Sequence, residues 1–104
     1  MIVVKSVSDK QGFRQLTVTG HANYGVKGED IVCAAVSTAV IVTANAVEHL
    51  NLNHVIEVDV QEGYFKMIQK TENDIVSALI NNLEYTLDEL EKQYPKYIKK
   101  QKEG

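Results

Sequence analysis

The sequence predicts an α+β domain on a mainly antiparallel sheet. Three observations carry this. Segments rich in β-branched residues come in adjacent pairs joined by turn residues. Each pair is followed by a long helical segment, giving the order strand-strand-helix-strand-strand-helix. No linker or low-complexity stretch divides the 104 residues, so residues 1–104 form a single domain.

Ile2 to Ser8 reads as the first strand, and Asp9-Lys10-Gln11-Gly12 is turn chemistry. Phe13 to Gly20 returns as the second strand, with Leu16 and Val18 on one face and Thr17 and Thr19 on the other. Gly20 to Glu29 is expected to be a loop. Asp30 is a good N-cap for a helix from about Ile31 to Leu50, which is apolar nearly all round and is therefore expected to be buried on more than one side. It holds several polar residues and is short for a membrane span, so a core helix is the favoured reading.

Asn51-Leu52-Asn53 ends that helix. Val55 to Val60 alternates, with Ile56, Val58 and Val60 facing one way and Glu57 and Asp59 the other. Glu62-Gly63 makes a tight turn into a fourth strand, Tyr64 to Lys70. Thr71 and Asp74 have capping-box spacing. The second helix is amphipathic, with Val76, Leu79, Leu83, Leu87, Leu90 and Tyr94 on one stripe, and Pro95 stops it. The lysine-rich tail from Lys96 to Gly104 either frays or adds a short edge strand, and a solvated, partly disordered tail is the favoured reading.

Composition narrows the function. The net charge of -3 gives no basic footprint, so direct nucleic-acid binding is not expected. One cysteine excludes a disulfide within the chain and fits a reducing compartment. The first residues turn polar too soon for a secretory signal. A cytoplasmic protein that does not bind membranes is the expectation. His49 and His54 flank a helix end, and the favourable interaction of His49 with the helix C-terminus suffices to explain it. No cysteine or carboxylate pattern of metal-binding type accompanies them, and no phosphate-binding glycine motif occurs. Neither metal nor cofactor is expected.

The candidate chemistry lies between the second strand and the first helix. His21 follows the strand, and Cys33 is expected in the first turn of the helix. A loop that folds back would bring imidazole and thiol to one edge of the sheet. The thiolate is the nucleophile, and both a helix N-terminus and a protonated His21 favour it. First-turn N–H groups, or those of the glycine loop, are candidate oxyanion donors. Asp30 either caps the helix or orients His21; capping is favoured. A cysteine on an apolar helix is by itself more often an inert core residue, and a histidine after a strand is more often a surface residue. Their pairing is what points to catalysis.

Gly20-His21-Ala22, Tyr24-Gly25, Gly28 and Asp30-Ile31-Val32-Cys33-Ala34-Ala35-Val36-Ser37 together resemble the ribosomal-processing cysteine protease family of Firmicutes and related bacteria. The resemblance implies His21 and Cys33 as catalytic residues, with Asp30 supporting. It implies substrate or loop roles for Gly20, Ala22, Tyr24, Gly25, Gly28 and Ser37. For Ser37 a back-bond to a helix carbonyl is an equal alternative. The resemblance also implies a homodimer, and a glycine loop that closes over the substrate. The activity it implies is removal of the N-terminal extension of a large-subunit ribosomal protein, cut after a phenylalanine. A non-catalytic ribosome-assembly factor binding the same peptide is the first competing reading. A thiol redox sensor is the second, weakened by the lack of a resolving cysteine.

Overall fold

The structure is a computed structural model. It describes residues 1–20 and 27–103, with 27–30 and 102–103 described by their backbone only. The elements are β1 (Ile2–Ser8), β2 (Arg14–Thr19), α1 (Lys27–His49), β3 (Ile56–Gln61), β4 (Tyr64–Gln69), α2 (Asp74–Gln93) and β5 (Ile98–Glu103). The five strands form one sheet in the order β3-β4-β2-β1-β5. All neighbours are antiparallel except β1 and β5, which run parallel. The α+β class and the doubled strand-strand-helix order are as the sequence predicts, and β5 is added to them.

Local chemistry makes the turns. Asp9 Oδ1 accepts from the amides of Gln11 (2.9 Å) and Phe13 (2.8 Å), and Gly12 takes φ 85° between the first two strands. Helix α1 ends in a Schellman motif. Asn51 adopts φ 59°, its amide donates to Glu48 O at 2.9 Å, and the Leu52 amide reaches Val47 O at 3.0 Å. His49 Nδ1 donates to Asn45 O at 2.8 Å, which keeps it at the helix end.

One face of the sheet carries the core. Val4, Leu16, Val18, Phe65 and Met67 point into it, as does Ile98 of β5. Helix α1 meets them with Val32, Val36, Val40 and Val47, and α2 with Val76, Ile80, Leu83 and Leu87. Each such side chain contributes roughly 1.5–3 kcal/mol on burial. Residues 31 to 49 are apolar and long enough to cross a membrane by length and composition, but their valine stripe packs on the sheet, as in a core helix.

Several local readings change. Helix α1 starts at Lys27, so Gly28 and Asp30 lie in its first turn, and Asp30 is not an N-cap. Gly28 lowers helix propensity without breaking the helix. Cys33 therefore falls in the second turn.

Helix α1 is also not buried on more than one side within this chain, because Ile31, Ile41 and Val42 are all more than half exposed. On β3 the alternation holds, but Val58 and Val60 are exposed because the strand is at the sheet edge. The cap of α2 is Asn73, not Thr71: Asn73 Oδ1 accepts from Val76 N at 2.9 Å.

The tail, finally, forms strand β5, with Ile98 buried and Lys100 half-buried while Lys96, Lys99 and Gln101 stay exposed. Lys100 Nζ lies 2.7 Å from Glu84 Oε1 and 2.8 Å from Asp88 Oδ1, and its amide donates to Glu91 Oε2 at 2.9 Å. Arg14 Nη1 also pairs with Glu84, which is almost fully buried. Sheet register explains why: Lys100 sits beside Val4 on the core face, so a cation there requires a buried anion opposite.

Candidate active site

Helix α1 presents three stripes. Val32, Val36, Thr43 and Val47 face the core. Ile31, Ala34, Thr38 and Val42 are exposed on the opposite side. Between them, at successive helical turns, run Cys33, Ser37, Ile41 and Asn45. This middle stripe lines a cavity of about 330 Å³. The other wall is the end of the sheet: Ile2 of β1, Val18 and Thr19 of β2, Gly20, and Val60, Gln61, Gly63, Tyr64 and Phe65 of the β3–β4 hairpin.

Cys33 is half-buried at this cavity. It is close to the N-terminal end of α1 without being in the first turn. Only the first four amides of a helix lack an intrahelical acceptor. Helix-supplied oxyanion donors would therefore come from the first turn, ahead of Asp30, and not from the Cys33 amide itself. The dipole effect also fades beyond the first turn.

Gly20 is fixed by its surroundings. It takes φ 140°, and a Cβ built there would lie 2.5 Å from Met1 O and 2.9 Å from Ile2 Cα. Its amide donates to Gly63 O at 3.0 Å. No residue with a side chain fits between the first strand and the β3–β4 turn. The backbone leading to His21 is thereby pinned at the cavity rim.

The structure thus brings Gly20, Cys33 and Ser37 to one cavity. His21, Ala22, Tyr24 and Gly25 lie outside the described residues. Gly28 and Asp30 are placed in the helix by their backbone only. Ser37 is exposed, on the cavity stripe one turn beyond Cys33. Sequence reasoning missed the contribution of the β3–β4 hairpin, above all Val60, Gln61 and Tyr64. Gly63 marked a turn, but nothing local shows that this turn pairs with Gly20. That contact arises from the β2–β4 register.

A cysteine at the rim of an apolar cavity, near a helix N-terminus and on a strand-strand-helix scaffold, fits the class of cysteine peptidases. The sequence profile of the cysteine protease Prp family matches residues 1–99, and the chain belongs to that family. It is 28% identical over 96 residues to the ribosomal processing cysteine protease Prp of Staphylococcus aureus (strain Mu50), covering 90% of this chain and 91% of the relative. It is also 28% identical over 93 residues to the Prp of Bacillus subtilis (strain 168), covering 84% and 83%. The fold matches the crystal structure of the essential ribosomal processing protease Prp of S. aureus with a covalently linked product peptide. The TM-score there is 0.80 at 25% identity, over 99% of this chain and 100% of that one. SMU.848 of Streptococcus mutans matches with TM-score 0.77 at 28% identity, over 98% and 93%.

Proposed function

We propose that this cysteine peptidase removes the N-terminal extension of a large-subunit ribosomal protein, cutting after a phenylalanine. Cys33 attacks the scissile carbonyl, and the amine leaves with a proton delivered by His21. Water then releases the acyl group from sulfur, with His21 as base. The observation that carries this reading is Cys33 at the rim of an apolar cavity large enough for an aromatic side chain. The names of the relatives and the His21–Cys33 motif support it.

The same reading includes a cytoplasmic homodimer that binds neither membrane nor nucleic acid. The exposed stripe Ile31, Ala34, Thr38 and Val42 supports a subunit contact. Lys100 is engaged by Glu84 and Asp88, which removes one tail lysine from any RNA-binding role.

The test is incubation of the purified protein with the extended ribosomal protein, followed by intact-mass measurement. One shortened product ending its lost segment in phenylalanine is expected. An uncut precursor, or cuts scattered along the chain, would count against the assignment.

A further inference from the structure

Strand β3 is an edge of the sheet: β4 pairs with one side of it, and no strand pairs with the other among the described residues. Its hydrogen-bond phase can be fixed. The Lys70 amide donates to Val55 O at 2.7 Å, in register with the β3–β4 ladder. Alternation along an antiparallel pair then turns the polar backbone groups of Glu57, Asp59 and Gln61 toward β4. Those of Val58 and Val60 point outward.

The side chains of Val58 and Val60 share the helix-bearing face with Met67 and Phe65, their register partners. Both are exposed, Val60 by 67%, which is costly for an edge strand left bare. Val60 and Gln61 also line the cavity that holds Cys33. The opposite wall runs along α1 from Cys33 to Asn45. At the helical rise that is about 18 Å, the length of about five extended residues.

We infer that the outer edge of β3 captures the substrate as an added strand, holding about five residues of an extended peptide between β3 and the middle stripe of α1. The outward N–H and C=O groups of Val58 and Val60 bond to the peptide backbone. Alternate peptide side chains turn inward against Val60 and Ile41, and the end of the segment is delivered to Cys33. This is strand addition, in which the backbone supplies affinity and alternate pockets supply selectivity. The inference rests on the protease reading for the identity of the peptide.

The experiment measures binding and cleavage separately. Binding of a fluorescent substrate peptide is titrated with Cys33→Ala protein, and cleavage of the same peptide with the parent. A set of peptides each N-methylated at one residue is then compared. Methylation should weaken binding about tenfold or more at every second position and little at those between, since it removes a donor and blocks the edge. Val60→Pro removes an outward amide while leaving the β4 ladder intact, because proline is tolerated at such edge positions. It should weaken peptide binding to a similar degree with its melting temperature little changed. If Val60→Pro fails to fold, the methylation pattern decides alone.

A methylation profile without alternation, in a peptide the parent still cleaves, would overturn the added strand and leave the protease reading standing. So would a change in oligomer mass in Val60→Pro with unaltered peptide affinity, which would assign the edge to a second copy of the chain. Failure of the parent to cleave the unmodified peptide would instead strike the protease reading.

Discussion

Helices α1 and α2 are 23 and 20 residues long, and both pack on the same face of the sheet, each after a two-stranded hairpin. Their surfaces differ. Helix α2 is closed at its start by Asn73, buries one apolar stripe and satisfies its one buried charge, Glu84, with Arg14 and Lys100. Helix α1 buries a stripe of similar size but leaves two more open: an apolar one on its outer side, and one along the cavity that carries Cys33. The same supersecondary plan therefore yields a largely closed helix surface in one half and a partly open one in the other. The apolar side chains left open on the outer side of α1 call for cover that this chain does not itself supply.

Substitutions in the two halves should separate turnover from stability. The largest effect belongs to the α1 half. His21→Ala should lower kcat by a factor of roughly 10² to 10⁴ with a smaller change in peptide affinity. Steady-state kinetics and binding to the same peptide check this, and an unchanged kcat in folded protein would remove His21 from the chemistry.

In the α2 half, Glu84→Ala leaves Lys100 and Arg14 facing a partly dry interior. Asp88 remains as a partner for Lys100, so a loss of about 3 kcal/mol is expected, at the lower end for a broken buried pair. Denaturant unfolding measures it, and turnover per folded molecule should stay near the parent value. A large drop in turnover at full folding would show that the two halves are coupled more tightly than their packing suggests.

Gly20→Ala tests the point where the halves meet. Its φ and the contact with Met1 O predict a loss of about 1–3 kcal/mol together with reduced turnover, because the residue that precedes His21 must shift. Stability lost without any effect on turnover would mean that the position of His21 does not depend on this contact. The smallest effect is expected from Asn73→Ala, about 1 kcal/mol, or about 4–8 °C in Tm, with normal cleavage.

Much of the fold was legible because its signals are local. The hairpin turns, the alternating strands and the α2 stripe are written in residue type and spacing. The end of α1 was visible in Asn51, which tolerates the left-handed conformation. What was hidden depends on partners far away in the chain. Strand β5 looks like a solvated lysine tail because the acidic residues that neutralise Lys100 lie in α2. The true start of α1 was obscured by Gly28, which reads as loop chemistry yet lies in the first helical turn.

The site divides in the same way. Cys33, Gly20 and Ser37 were readable as a motif and meet at one cavity, whereas Val60, Gln61 and Tyr64 reach it through strand register alone. An apolar helix expected to be buried on more than one side faces the core on one side only. Hydrophobicity reports a need for cover without saying whether the cover comes from the same chain.

The proposed peptidase chemistry passes through the sulfur of Cys33. Its most direct test is rapid quenching of the enzyme with substrate peptide, followed by mass spectrometry of the intact protein and its fragments. A transient thioester on Cys33 carrying the N-terminal portion of the peptide is expected, absent in Cys33→Ala, which should show no turnover. Cleavage by Cys33→Ala at the parent rate, or an acyl group found on another residue, would contradict it.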